Sequence, residues 1–477
     1  MTRRVAATFL LFTLSSGSAL AGNVYPDQFV DTRFAELSSP QHWRRIYSSG
    51  TVDEKGIAVA RTPDGGFVAL ISVPGGALGS KIGLVRYAAD GALYPNLFGS
   101  SGKVIKDAQL VELRAMTVDS QGRIVVVGTT PGPGNVKDFG VVRFRADGSD
   151  DTTFGVNGRV AVGMEPVEAV SDDQPIAVVE QVLAGGATRL VIAGNSLLTT
   201  SSGPRQSISL IGLRNDGSFD PDFGAYIDPA FDGRTTKRYA DNNAAYAGGL
   251  VKTSINTLLV VGTDVLSGTD TDFGACYFGS QGVPFANGCA SFAIDEPGPG
   301  GSIYDGATAA VQTAPDTFVV AGNASGKMAA IRLKLVNFVP TFDTSFIGSS
   351  IPTRPARFVS DTADTWVNDV AVRSNGSLLL AGRMAANGTQ YGAVTRLRAN
   401  GTPDTGSLFS PSGLATFRAP TVSNSPSWST EITKVLIDGG KPVLFGSSPD
   451  STTAATDFDG FLTRLQSDLI FAGDLER

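Results

Sequence analysis

One unit recurs along almost the whole of this chain, and its clearest copy is Arg123–Val162, RIVVVGTTPGPGNVKDFGVVRFRADGSDDTTFGVNGRVAV. A unit of this length is too small to hold a core by itself, so each copy must bury its faces against its neighbours. Ile124 to Val127 is β-branched throughout, which suits a strand buried on both faces. Gly128 is expected to end that strand, and Pro131, Gly132, Pro133 and Gly134 to form the turn after it. Asp138 to Arg145 alternates apolar and polar residues, as a second strand would. Asp147-Gly148 is a hairpin signal, because both residues tolerate positive φ. Asp151–Phe154 is expected to open a further strand.

The apolar run recurs seven times: Phe67–Ile71, Ile124–Gly128, Leu190–Gly194, Leu258–Gly262, Phe318–Gly322, Leu378–Gly382 and Val443–Gly446. The next strand also recurs seven times, at Ile82–Tyr87, Phe139–Phe144, Ile208–Leu213, Phe273–Phe278, Met328–Leu333, Gly392–Leu397 and Gly460–Leu465. A weaker strand precedes each apolar run, as at Ile57–Arg61, Leu113–Val118, Leu250–Thr253 and Ile432–Ile437. The motif Asp-x-x-Phe marks the last strand at Asp151–Phe154, Asp220–Phe223 and Asp343–Phe346. Four short antiparallel strands, repeated about every 60 residues, predict an all-β fold: a seven-bladed β-propeller of four-stranded antiparallel blades. A string of independent β-sandwiches would need polar linkers between units, and the units run into one another without them.

The run of aliphatics ending in glycine, then DFGVVRFRADGS, then DTTFG, resembles the bacterial delta-60 repeat family. The resemblance covers nearly all of the chain after its leader, and it is closest in the second unit. It implies a propeller and no particular activity.

The fourth-strand motif appears once more near the start, at Asp31–Phe34, before any complete unit. The seventh unit ends soon after its third strand. The segment Asp31–Arg45 is therefore expected to supply the missing outer strand of the last blade, closing the ring and removing two edges.

Residues 1–21 read as a secretory signal peptide. Arg3 and Arg4 are its basic region, Val5–Leu14 its apolar region, and Ala19–Ala21 its small-residue cleavage site. The adjacent arginines also fit twin-arginine export, but Val5–Ala7 lacks the apolar bulk that route uses. General secretion is the expected route, to the periplasm or beyond. The apolar stretch is too short to span a bilayer. Residues 22–477 are then one propeller domain, expected to be monomeric.

The formal charge is −7, and no basic cluster interleaved with aromatics occurs, so nucleic acid is not an expected partner. Two cysteines are present, Cys276 and Cys289. They fall on the third and fourth strands of the fourth unit, and antiparallel neighbours lie about 4.5–5.5 Å apart at Cα. That spacing admits a disulfide, which an oxidising compartment would preserve.

Catalytic chemistry has little to work with. The chain has one histidine, His42, so neither a Ser-His-Asp triad nor a His-rich zinc site is expected. The acidic pairs Asp270/Asp272 and Asp457/Asp459 read as turn-formers, and Gly268–Asp272 lacks the spacing of an EF-hand loop. No metal or cofactor is expected. Arginine recurs at one third-strand position, at Arg86, Arg143, Arg332, Arg396 and Arg464, with Gly212 and Tyr277 in the remaining two units. Ion pairs between neighbouring blades are the favoured reading, and a ring of anion-binding arginines the rival.

An aromatic stands just before the first strand of four consecutive units: Tyr246, Tyr304, Trp366 and Trp428. These rings either plug gaps between blades or form a binding rim for sugar rings or apolar side chains. The expected function is a secreted or periplasmic binding or scaffold protein, with an unknown protein or carbohydrate as partner. The alternative is an extracellular lyase or hydrolase with its active site on rim loops.

Overall fold

The computed structural model describes residues 44–45, 54–94, 96–133, 136–164, 172–200, 203–224, 233–294, 303–348, 356–405, 413–417, 429–449 and 458–465. The signal segment, His42, Asp31–Phe34 and Trp428 lie outside them. The described chain is built of strands, with a short 3-10 turn at Ala184–Gly186. The second unit is an antiparallel sheet of Glu112–Val118, Ile124–Pro131, Lys137–Phe144 and Arg159–Val162, hydrogen-bonded in that order. The first, third and sixth units form sheets of the same order. The fourth and fifth share one nine-stranded sheet, because a short parallel bridge joins Asp270 to Ile303 and Thr271 to Tyr304. In the seventh, Glu431–Asp438, Lys441–Pro449 and Phe458–Arg464 are joined on the outside by Arg44–Arg45, with Arg44 opposite Leu462 and Arg45 opposite Phe461.

The β-branched run is the second strand of each sheet, flanked by the first and third. Val125, Val126 and Val127 are completely buried. The core is divided into clusters that each span two adjacent units. Leu70, Leu84 and Phe98 pack with Leu113, Ile124 and Phe144. Val59, Phe67 and Val85 of the first unit pack with Val443, Phe445 and Leu462 of the seventh. Each such buried side chain contributes roughly 1.5–3 kcal/mol, so most of the stabilisation lies between units rather than within them.

The glycine at the end of the apolar run does not end the strand. Gly128 lies inside Ile124–Pro131, Gly262 inside Leu258–Ser267 and Gly382 inside Leu378–Ala386. Its role is steric. A β-bulge interrupts the first strand opposite it in every unit, between Leu113 and Ala115, Ala247 and Gly249, or Val367 and Asp369, for example. The bulge drives a carbonyl oxygen into the space a side chain would occupy. A Cβ on Gly128, Gly262, Gly382 or Gly446 would overlap the carbonyl oxygen of Glu112, Tyr246, Trp366 or Glu431, respectively. In the first unit Ile71 stands at this place, opposite Gly56.

The Asp-x-x-Phe motif is a turn ahead of the fourth strand, not its opening. Asp151 Oδ1 accepts from the Thr153 amide at 3.2 Å, and the strand begins only at Arg159. The motif's phenylalanine is fully buried and packs on the hairpin glycine of the following unit. A Cβ on Gly148, Gly217, Gly282 or Gly401 would meet the ring of Phe98, Phe154, Phe223 or Phe346. The residue after each phenylalanine donates its amide to the same hairpin: Gly99 to Asp147 at 3.1 Å, Gly155 to Asp216 at 2.7 Å, and Ile347 to Asn400 at 2.7 Å. Ring and amide together latch each unit to the next.

Cys276 and Cys289 form a disulfide across the third and fourth strands of the fourth unit, with Cα atoms 4.0 Å apart. The closer approach than expected accompanies an irregular ladder. Phe278 pairs with Pro284 while Cys276 pairs with Cys289, so Phe285–Gly288 loop out. The bridge holds the strand in register after that excursion, and Phe285 stacks between Tyr277 and Phe338.

The steric role of the buried glycines is directly testable. Gly382→Ala should lower stability by about 1–3 kcal/mol, the usual cost of overpacking. Gly268→Ala, where a Cβ meets nothing within 4 Å, should leave the melting temperature unchanged. Equal melting temperatures for the two variants would refute the carbonyl clash.

Candidate functional site

The bulges position the candidate site. A strand sends successive side chains to opposite faces, and a bulge breaks that alternation and re-aims one of them. The extra residue in each first strand is Ile57, Arg114, Ile176, Gly248, Thr308, Asn368 or Thr433. All seven line one cavity of about 680 Å³, together with Lys55, Arg383, Gln390 and Glu431. The bulge thus turns the extra residue of each unit toward one shared cavity. Those side chains are unlike: two are isoleucines, one position has none, and four are polar.

The polar groups concentrate where the sixth unit meets the seventh. Asn368 Nδ2 donates to Glu431 Oε1 at 2.8 Å and to the Ile432 carbonyl at 2.9 Å. Arg383 Nη1 donates to Gln390 Oε1 at 2.8 Å, and its Nε lies 3.8 Å from Glu431 Oε1. The same guanidinium sits 4.7 Å above the Trp366 ring, a cation–π contact. Elsewhere in the cavity, Thr308 Oγ1 donates to the Val367 carbonyl at 2.8 Å. Arg114 donates to the Glu112 carboxylate and reaches Gln174 Oε1 at 3.5 Å.

The expected aromatics lie within the first strands rather than ahead of them. Tyr246 and Trp366 occupy equivalent places, each one residue before the bulge pair begins. Tyr304 lies two residues earlier in its own unit, before Asp305. Tyr246 is 42% exposed and Tyr304 50% exposed, whereas a plug between units would be buried. Trp366 is half-buried under Arg383. Trp428 is outside the described residues.

The recurrent arginines are buried at Arg86, Arg143 and Arg396 and partly buried at Arg332 and Arg464, and none of them lines the cavity. Arg143 Nε bonds Asp151 at 2.7 Å, Arg332 Nε bonds Asp343 at 2.8 Å, and Arg396 pairs with Asp404 at 2.6 Å. These pairs form inside one unit, not between units as expected, because the aspartate of the turn lies beside the strand that carries the arginine. Where the third unit has Gly212, Arg189 on the neighbouring strand reaches Asp220 at 2.8 Å. In the fourth, Tyr277 bonds Thr257 at 2.6 Å instead. A second hydrogen bond does cross to the next hairpin: Arg143 to Asn215 at 3.1 Å, Arg332 to the Ala399 carbonyl at 2.7 Å, and Arg464 to the Ala89 carbonyl at 3.3 Å.

Asp270 and Asp272 lie on a strand, not in a turn, and Asp272 faces Asp264 on the adjacent strand. Among the described residues, no group of three or more His, Cys, Asp or Glu side chains is placed to hold a metal ion. No described helix is long and apolar enough to cross a membrane.

The bulge residues are what reading the sequence missed. No residue type marks them, since Ile, Arg, Gly, Thr and Asn all serve. The available signal was the second-strand glycine, which lies opposite the bulge.

A family model described as a domain of unknown function (DUF5122) beta-propeller matches residues 120–154 and 373–406. No curated protein matches the chain. Among solved structures, the chain is similar to the Dos1 propeller, at 9% identity and a TM-score of 0.42, covering 89% of this chain and 95% of that one. It is similar to the polysaccharide lyase Uly1, at 11% identity and a TM-score of 0.40, covering 92% and 95%. It is also similar to a protein of unknown function from Dyadobacter fermentans DSM 18053, at 12% identity and a TM-score of 0.37, covering 73% and 96%.

The aspartate of the turn gives folding a pH dependence. Burial pushes the Asp151 carboxyl up, but the Thr153 hydroxyl, the Arg143 charge and the Thr153 amide outweigh it and hold the carboxyl below its ordinary value. A depressed folded value means the stabilisation is complete above the unfolded value of about 3.9 and is lost as pH falls through the folded one. Melting temperature should therefore drop below about pH 4. Asp151→Asn should start lower and show a shallower acid slope, and parallel profiles for the two proteins would contradict this.

Proposed function

We propose that this chain is a secreted or periplasmic seven-bladed propeller of the delta-60 repeat type, a monomer that binds a ligand at its central cavity. The observation that carries this reading is the bulge ring. A purely structural lining would repeat the same residue in each unit, whereas here the residues differ and the polar ones gather where the sixth unit meets the seventh. Tyr246, Tyr304, Trp366 and Trp428 supply the stacking surface in this reading. A leader at residues 1–21 and the Cys276–Cys289 bridge fit an oxidising compartment.

Closure of the ring is supported by bonds that the seventh and first units share with internal neighbours. Asn195 Oδ1 accepts the Ala247 amide at 2.6 Å, and Asn323 Oδ1 accepts the Val367 amide at 2.9 Å. Ser447 Oγ, at the equivalent place, accepts the Gly56 amide at 2.8 Å. The Arg464 bond to Ala89 likewise repeats the outer bonds of Arg143 and Arg332. The N-terminal segment then completes the last blade. A mature chain shortened to begin at Gly50 should melt several degrees lower than the full mature chain. An unchanged melting temperature would remove N-terminal closure.

Glycan and peptide arrays screened with the mature protein test the binding reading. Trp366→Ala should leave folding near normal, because the ring is only partly buried, and should weaken the array ligand about tenfold or more, in line with interface aromatics. Undiminished binding by this variant would move the site elsewhere. Shortening of a bound polysaccharide during incubation would favour the rival, an extracellular lyase or hydrolase.

A further inference from the structure

The cavity carries more positive than negative charge. Its lining includes the cations Lys55, Arg114 and Arg383 against one carboxylate, Glu431. Glu431 is already engaged by Asn368, and Arg114 by Glu112. Lys55 is exposed, and no ion pair to it occurs among the described residues. Arg383 is held in place by the Trp366 ring and by Gln390, with the Glu431 carboxylate 3.8 Å from its Nε. A guanidinium has five N–H groups, so these contacts fix its position without exhausting its donors. The rest of the polar lining is uncharged: Thr308, Asn368, Gln390 and Thr433 offer hydroxyl and amide groups. Partly exposed rings stand beside this surface, Trp366 under Arg383 and Tyr246 at the equivalent place two units earlier.

We propose that the central cavity takes an acidic saccharide, a chain of sugar rings bearing carboxylates. The inference rests on the cavity being the binding site. Sugar rings present apolar faces that stack on aromatic side chains. Their hydroxyls exchange hydrogen bonds with amide and hydroxyl groups of the kind that line this space. The carboxylates are met by Lys55 and Arg383, a point charge and a planar fork respectively. An acidic peptide would satisfy the cations and could bond the lining through its backbone, but its Asp and Glu side chains offer no ring faces to Trp366 and Tyr246. A bare phosphate would not use the rings.

The test uses the mature protein and calorimetric titration with three probes: oligogalacturonate, oligomeric alginate and hyaluronan fragments, each beside its methyl-esterified form. Esterification keeps the sugar skeleton and removes the charge. At least one acidic probe should bind, and its ester should bind about ten- to a hundredfold more weakly, the scale of a charge-assisted hydrogen bond. Lys55→Gln and Arg383→Gln should each weaken the acidic form more than the ester. Lys55→Gln also guards against misfolding as the cause, since no ion pair is lost with it. Equal binding of acid and ester, or no binding of any of the three acids, overturns the inference. Binding that survives Trp366→Ala instead overturns the choice of cavity, so the two failures are distinguishable.

Discussion

The close approach of a first-strand carbonyl to a second-strand glycine governs this molecule. It permits a bulge at the same level of every sheet, and the bulge has two consequences. It increases the local twist of the first strand, which suits sheets packed face to face as successive units. It also releases one side chain per unit from the alternation of the strand and turns it inward. Six units have this glycine, and in them a side chain would collide with the carbonyl and disturb the bulge that turns residues such as Arg114 and Asn368 toward the cavity; the first unit, with Ile71 opposite Gly56, keeps its bulge without it.

Units are joined at three depths, and the devices differ with the solvent available at each. Near the cavity, Asn195 and Asn323 bond backbone amides of the following first strand. At mid-depth, β-branched and aromatic side chains of adjacent sheets share clusters. On the outside, a buried phenylalanine and the amide after it clasp the next hairpin. The arginine–aspartate pair beneath that clasp is almost fully buried at Arg143 and Asp151. Such a pair adds little net stability compared with an apolar substitute, but it orders the turn that presents the phenylalanine. Repetition of one interface makes stability nearly a sum of neighbour terms.

The same regularity frees the cavity lining to vary. Backbone geometry decides where the bulge residue points, so the fold leaves its identity free. That is why Gly248 and Arg114 can stand at equivalent places. The cluster of Trp366, Asn368, Arg383 and Glu431 is mutually hydrogen-bonded, paired or stacked, so its side chains hold one another in place. In the binding reading proposed above, such preorganisation would lower the cost of association.

Much of this was determined by sequence alone. The β-branched runs, the hairpin glycines and the Asp-x-x-Phe turns dictate strands, their order and their period, because each rests on local backbone preference and burial. The Cys276–Cys289 pairing followed from strand adjacency within one hairpin. Other features belong to tertiary structure. Gly128 reads locally as a strand end, yet it is an interior residue whose role depends on a carbonyl from the strand beside it. Arg143 reads as free to pair with either neighbour, and only packing places it against its own Asp151. Bulge residues have no common chemistry, so no pattern of residue types announces them. Their grouping around one cavity is decided by residues some 60 positions apart meeting in space, a relation that local preference does not encode.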